Sequence, residues 1–487
     1  MTMNPRTGLT AIGLALALAG CNLAPPYVRP IGAAPATLPQ GGVYPGAASD
    51  ARDVTAVAWR DFFTDPRLRG VIALGLANNR DLRVAAGNVL QARAQYRVQR
   101  ADRLPTIDAG GSATFTNNPT GGGAAGAGGS SDIQSYSVDV GVSAFEIDLF
   151  GRVRNLSRTA LERYLASEEG QRATRISLIA EIANAWATMA SDQNQLRLSQ
   201  QTLTTYEQAL ALTRARFRVG ISSELEARQS ETVYQAARND IAVLRTRIAQ
   251  DQNALNLLAG TTVPAALLPS GLGGASVTID ALPASLSSDV LLRRPDVLQA
   301  EHQLIAESAN IGAARAAFFP RISLTAALGL LSPSLGSLFD GGANYTVAPA
   351  VSLPIFDGGR NKGNLAYARA SQQVAVATYE KTIQTAFREV ADALAQRGTI
   401  GEQIGAQTAR AEAARVTAML ADARYNAGVD SFLTSLDSQR TYYGAQQQLA
   451  TTRLARIQNL IILYRALGGG LADPLATATK APSLPEK

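Results

Sequence analysis

The chain contains a long copy of itself, and this copy limits its possible architectures more than any other feature. Arg216-Phe217-Arg218-Val219-Gly220-Ile221-Ser222-Ser223-Glu224-Leu225 returns 208 positions later as Arg424-Tyr425-Asn426-Ala427-Gly428-Val429-Asp430-Ser431-Phe432-Leu433. The same ungapped offset pairs Tyr234 with Tyr442, Leu255 with Leu463 and Gly260 with Gly468, and it reaches back to Arg152 and Arg360. A weaker match opens each half, Asp81-Leu82 with Asp296-Val297 and Leu104-Pro105-Thr106-Ile107 with Phe319-Pro320-Arg321-Ile322. Two units of roughly 200 residues make a pseudo-symmetric protein, not a solenoid of short repeats.

The start of the chain gives its address. Residues 1–20 carry Arg6, an apolar run from Leu9 to Ala19 and small residues at the end, the pattern of an export signal. Leu18-Ala19-Gly20-Cys21 resembles a lipobox, in which cleavage falls before the cysteine and the cysteine takes the acyl chains. Cys21 is the single cysteine, so no disulfide framework can form within one chain. Asn22, in place of the aspartate that signals inner-membrane retention in similar lipoproteins, favours the outer membrane. No mature segment has the 18 or more uncharged apolar residues of a spanning helix, so any crossing must use strands. Removing the signal takes Arg6 away from 45 basic residues and leaves 44 against 39 acidic, a net charge of +5. This excess is small and spread along the chain, which reads as solvated helix faces and sets nucleic-acid binding aside. The glycine clusters at Gly121-Gly122-Gly123 and Gly358-Gly359-Arg360-Asn361-Lys362 lack the pattern of a phosphate loop.

Two kinds of periodicity follow. From Gly151 to about Val219 there is no proline and one internal glycine, Gly170, and Ile182, Met189, Leu196, Leu203, Leu210 and Phe217 form a seven-residue row. Such a row sets a seam against neighbouring helices, and at about 1.5 Å per residue the helix is on the order of 100 Å long. A matching helix is predicted from about Gly359 to Asn426. Shorter partners are predicted from about Ser223 to Ala259, with the row Tyr234, Ile241, Ile248 and Leu255, and from about Ser431 to Leu467. Two further helices, from about Pro66 to Arg103 and from about Ser288 to Ala317, precede the long ones.

Between these helices lie four segments of about ten residues with period two. Ile107, Ala109, Ala113 and Phe115 alternate with polar neighbours, as do Tyr136, Val138, Val140, Val142 and Ala144. Ile322, Leu324, Ala326, Leu328 and Leu330 repeat the pattern, as do Tyr345, Val347, Pro349, Val351 and Leu353. This is the length and alternation of outer-membrane barrel strands. Tyr136 and Tyr345, with Phe145, Phe150, Phe318, Phe319 and Phe356, match two interfacial girdles. Pro349 interrupts its strand and predicts a local bulge. Four strands are too few to close a barrel, so strands must be pooled by two chains or three.

At this point the chain resembles the TolC-like outer-membrane factors, in particular the NodT-like lipoprotein branch that serves RND-type efflux pumps. The residues that carry the resemblance include Leu18-Ala19-Gly20-Cys21, Phe145-Glu146-Ile147-Asp148-Leu149-Phe150-Gly151-Arg152 and Ser352-Leu353-Pro354-Ile355-Phe356-Asp357-Gly358-Gly359-Arg360. Arg293-Arg294-Pro295-Asp296 and the run from Gly428 to Leu433 and on to Arg440 add to it. The resemblance covers nearly the whole mature chain. It implies a mainly α protein with transmembrane β-strands, built from two structural repeats. Three chains would form a 12-stranded outer-membrane β-barrel continued by a 12-helix periplasmic α-barrel, with outer-membrane lipid around it. The expected organisation is a signal peptide (1–20), an anchor and equatorial segment (21–65) and a first repeat (66–260) with its strand hairpin at 106–149. An equatorial segment (261–287), a second repeat (288–468) with its hairpin at 321–355, and an equatorial tail (469–487) follow. The implied function is a passive exit duct, fed by an inner-membrane RND-type pump through a periplasmic adaptor.

A duct needs a gate, and Leu433, Asp437 and Arg440, at i, i+4 and i+7, share one face of a helix that leaves a turn. The resemblance implies that this face constricts the periplasmic entrance and that Arg440 and Arg424 belong to a charge network there. The first repeat differs, with Gln229 at the place of Asp437 and Glu226 and Ser230 at those of Thr434 and Ser438. Gly220 and Gly428 stand where a long helix must end and reverse, and the resemblance implies that Gly220, Ile221, Gly428 and Val429 meet the adaptor tip. His302 is the single histidine and has no cysteine near it, which argues against a zinc site or a His-based triad, so neither enzyme chemistry nor a cofactor is expected. Four methionines, two of them in the signal, give no soft-ligand ladder for copper. The alternative is a structural coiled-coil envelope lipoprotein without transport, which deletion phenotypes would separate from a duct.

Overall fold

The computed structural model describes residues 22–45, 57–118, 131–272, 277–279, 288–340 and 343–469. The signal, Cys21, the glycine loop that begins at Gly121 and the tail beyond Gly469 lie outside these residues. Helices dominate: α1 Pro66–Asn78, α2 Arg80–Ala101, α3 Arg152–Arg218, α4 Glu224–Ala259, α5 Pro295–Ala316, α6 Arg360–Asn426 and α7 Phe432–Ala466. The strands are β1 Ile107–Asn118, β2 Ser131–Glu146, β3 Arg321–Ser332 and β4 Ala343–Ser352. The two long helices α3 and α6 have 67 residues each. Among the described residues, no helix is long and apolar enough to cross a membrane.

The chain divides into two compact units. The first draws on Met1–Pro30, Asn88–Glu168 and Gln299–Tyr379 and contains the sheet. Its four strands form an antiparallel meander in the order β1-β2-β3-β4. Beside the sheet, Phe150 stacks on Phe319 with centroids 4.7 Å apart. Helix α5 carries an N-terminal strap, where Arg29 clamps Glu301 with two 2.8 Å bonds and Tyr27 donates to the same carboxylate. At the other end of α5, Arg315 donates to the Leu23 carbonyl. His302 Nδ1 lies 2.8 Å from Glu162.

The bulge is not at Pro349, which pairs with Leu324 in unbroken register. It lies between Val142 and Phe145 on β2, where Ala144 has a φ of +50°. Within one chain β4 ends the strand order, so the amide that Pro349 lacks need not cost a bond to a further strand of the same sheet. Ala144 takes a conformation that costs a non-glycine residue roughly 1–2 kcal/mol, and its amide donates to Thr325 Oγ1 at 3.1 Å.

The second unit draws on Ile31–Gly87, Glu169–Leu298 and Glu380–Lys487. Its core holds Trp59, Phe62, Phe63, Leu68, Ile72, Ile182, Met189, Leu255 and Tyr464, all fully buried. Phe62 stacks on Tyr464 with centroids 4.1 Å apart, and Trp186 Nε1 donates to the Leu267 carbonyl. Gly75 packs closely here, since a Cβ would come within 2.3 Å of Ile182 Cδ1 and would have to displace the end of that side chain. The seven-residue row on α3 is buried at Ile182 and Met189 but ends at Phe217, which is 43% exposed. Nearby, Arg294 holds Asp296 and Glu389 and donates to the Ala466 carbonyl at the end of α7.

The helix expected to run unbroken from Pro66 to Arg103 is two helices. Asn79, only 3% exposed, breaks it. Its Oδ1 accepts the Leu82 amide to start α2, and its Nδ2 donates to the Leu258 carbonyl. The helix expected from Ser288 begins instead as a 3-10 turn, Ser288–Arg293, before α5. Pro295 stands at the first position of α5, where the missing amide costs nothing.

Candidate functional site at the helical hairpin turns

Both helical hairpins reverse through the same local chemistry. Gly220 and Gly428 take left-handed φ values of 76° and 75°. Gly220 N bonds Phe217 O and Ile221 N bonds Arg216 O, while Gly428 N bonds Tyr425 O and Val429 N bonds Arg424 O, all at 2.9 Å. These paired bonds are a Schellman motif, which satisfies the last carbonyls of each long helix. The return helices start at Ser223 and Ser431, whose hydroxyls accept the amides of Glu226 and Thr434 at 3.3 Å. Ile221 and Val429 project into solvent at the two turns.

The tips differ in side-chain chemistry. Arg424 grips Asp430 through two bonds of 2.6 and 2.9 Å. This hydrogen bonding, with the charge attraction, holds the Asp430 carboxyl below its usual range and raises the Arg424 guanidinium. Ser222 stands at the place of Asp430 in the first hairpin, and Arg216 there turns to the second hairpin. Its Nη1 donates to the Tyr425 hydroxyl at 2.9 Å, with the guanidinium 5.4 Å from the ring centroid.

The second tip also docks on the first through a buried cluster of Tyr206, Val233, Ala237, Tyr425, Phe432 and Leu436. Phe432 is 5% exposed and meets Tyr425 edge-on at 5.5 Å, whereas its counterpart in the first hairpin is the exposed Glu224. Further along α7, Tyr443 shares a 2.7 Å bond with Ser199 and donates to Asp240 at 3.0 Å. Burial pushes the hydroxyls of Tyr206 and Tyr443 up to about 12.

The opposite face of α7 is free. Leu433 is 54% exposed, and Asp437 and Arg440 are exposed too. Within the chain, Asp437 and Arg440 form no hydrogen bond or ion pair among the described residues, and Arg424 pairs with Asp430 rather than with either of them. The structure therefore presents Leu433, Asp437 and Arg440 together and keeps Arg424 in a local pair beside the turn. Sequence reasoning missed the ties between hairpins, from Arg216 to Tyr425 and from Ser199 through Tyr443 to Asp240. The one available signal was the exchange of Glu224 for Phe432 between otherwise matching turns.

The family model of outer membrane efflux proteins matches residues 71–261 and 286–469. A solvent efflux pump outer membrane protein, SrpC of Pseudomonas putida, is 46% identical over 463 residues, covering 93% of this chain and 96% of the relative. The cation efflux system protein CusC of Escherichia coli (strain K12) is 40% identical over 462 residues, covering 94% and 98%. Among solved structures, the open state of the Neisseria gonorrhoeae MtrE outer membrane channel superposes with a TM-score of 0.82 at 36% identity, covering 93% of this chain and 99% of that one. With the family model matched over most of its length, the chain belongs to the outer membrane efflux proteins, a family of channels and not of enzymes.

Proposed function

We propose that this protein is the passive exit duct of a tripartite efflux pump, receiving small molecules from an inner-membrane RND-type transporter through a periplasmic adaptor. Three copies pool their strands into a twelve-stranded barrel, and their helices form a twelve-helix tunnel below it, two structural repeats per chain. The observation that carries this reading is the sheet. Its four-stranded meander leaves β1 and β4 as edges among the described residues, and one face is lined by Val138, Val140, Leu328, Val347 and Val351. An apolar face calls for lipid, and open edges in lipid leave backbone groups without partners, so the sheet needs neighbours of its own kind. Helix α2, with no buried residue of its own, and the equal lengths of α3 and α6 support the same assembly.

The entrance lies at the hairpin turns, with Leu433, Asp437 and Arg440 facing the axis, Arg424 bracing the second turn, and Gly220, Ile221, Gly428 and Val429 offered to the adaptor. Acylation of Cys21 anchors the chain after signal removal. The strap that holds Leu23 to Arg315, just before β3, supports an anchor on the membrane side. Relatives are named for solvents and for cations, which fits a duct that leaves substrate choice to the pump.

Native mass spectrometry of the detergent-extracted protein, followed by planar-bilayer recording, tests this reading. A trimer that conducts is expected, and Leu433→Ala or Asp437→Ala widens the entrance and raises conductance. A monomer without conductance refutes the duct. Loss of envelope integrity on deletion, with drug efflux intact, favours the structural lipoprotein instead.

A further inference from the structure

The two strand turns at this end of the sheet differ in chemistry. Between β1 and β2 the sequence from Pro119 to Ser130 holds only glycine, alanine, serine, proline and threonine. Between β3 and β4 the corresponding place carries Leu335, Leu338 and Phe339, with Asp340 as its single charge.

This second turn is tied down on one face of the sheet. Ser332, the last residue of β3, stands opposite Tyr136, in line with Leu330 opposite Val138 and Leu328 opposite Val140. All three share the apolar face, because alternate residues of a strand point to the same side. The Ser332 hydroxyl accepts the Ser334 amide at 3.3 Å and shares a 2.7 Å bond with the Ser337 hydroxyl, which also bonds Ser334 Oγ at 2.6 Å. A turn bound to Ser332 Oγ lies over the face to which that side chain points. Ser332 is accordingly 2% exposed and Leu338 4%. Leu335, which opens a 3-10 turn, and Phe339 are by contrast left 65% and 79% exposed. On the same face stand Tyr136, edge-on to Phe115 with ring centroids 5.8 Å apart, and Tyr345 opposite Leu328.

We propose that the β3–β4 turn folds back over the outward face of the sheet and sets Leu335 and Phe339 among the acyl chains of the outer leaflet, where they hold the barrel at a fixed height. The proposal rests on the duct reading above, which turns this face to lipid. The twelve residues of β3, at about 3.4 Å each and tilted by about 40°, rise about 31 Å, somewhat more than an apolar band of about 25 Å. The end of β3 therefore stands at the rim of the hydrocarbon, and a turn that reaches back over the face re-enters it. Serine hydroxyls bonded to one another suit this place, since polar groups in lipid must find their partners within the protein. Two large apolar side chains left bare beside the lipid face extend that face, and burying them there removes them from water.

Tryptophan fluorescence in vesicles of phosphatidylcholine with brominated acyl chains tests this, because bromine quenches an indole that it touches. Phe339→Trp, Val347→Trp and Ile221→Trp are each read against the native protein, whose two tryptophans, Trp59 and Trp186, are buried. Val347 lies on the apolar face of β4, and Ile221 is exposed at a helical hairpin turn. Brominated lipid should quench Phe339→Trp several-fold more than Ile221→Trp and about as strongly as Val347→Trp, with its emission shifted to the blue. Emission from Phe339→Trp as red and as unquenched as from Ile221→Trp overturns the proposal. Blue emission without quenching puts the turn against a second copy of the chain and overturns it as well. An unquenched Val347→Trp overturns the duct reading and the proposal with it.

Discussion

Replacing Phe432 by alanine tests whether the second hairpin is held shut by its docking on the first. Phe432 is 5% exposed, lies edge-on to Tyr425 and sits in the cluster with Tyr206, Val233 and Leu436. Truncating a buried phenylalanine costs about 3–5 kcal/mol, and the tip position, where the cavity can partly collapse, points to the lower figure. About 3 kcal/mol is a factor of over 100 in the local equilibrium between docked and released tips. The Arg216 bond to Tyr425 remains, so the tip loosens without unfolding the core around Trp59 and Tyr464. Hydrogen exchange over residues 425–440 should speed by about two orders of magnitude, and single-channel recordings should show longer open dwell times. Native exchange protection over this segment, with unchanged dwell times, would refute the docking argument.

Asn79→Ala should destabilise the second unit by about 2–4 kcal/mol, from the lost cap and from the Leu258 carbonyl left unpaired, and thermal denaturation measures it. Gly428→Ala should cost about 1 kcal/mol through its left-handed φ alone, since a Cβ there meets nothing within 4 Å; a larger loss of thermal stability would contradict that open space. Asp251, desolvated and beside Asp192, has its carboxyl pushed up to about 6, and one of its oxygens is buried without a partner. The folded state therefore holds this proton more tightly than the unfolded chain. The stability that protonation adds is fully present below about pH 4 and is lost as pH rises through about 6. Asp251→Asn should raise stability by about 1 kcal/mol at pH 8, after allowance for solvent around this half-buried group, and by nothing at pH 4; melting temperatures at the two pH values decide it.

The features that the sequence determined by itself are those written in neighbouring residues. A glycine at the end of a long apolar row and a serine three residues on specify a Schellman turn and an N-cap from local sterics, and Gly220 with Ser223 and Gly428 with Ser431 do so twice. Period-two alternation identified the strands because side chains of a strand alternate by geometry. The spacing of Leu433, Asp437 and Arg440 put them on one exposed face for the same kind of reason.

Tertiary structure decided whatever depended on a distant partner. Asn79 looks like any helix-surface residue until the Leu258 carbonyl, 179 positions away, takes its amide. The bulge sits at Ala144 because Thr325 on β3 receives its amide, while Pro349, the residue that signals a bulge locally, stays in register. Arg216 and Arg424 are identical in the repeat, yet one reaches across to Tyr425 and the other closes on Asp430. Local sterics act over a few residues and can be read along the chain. Hydrogen bonds and charge pairing act across space and became visible only once the strands and helices were side by side.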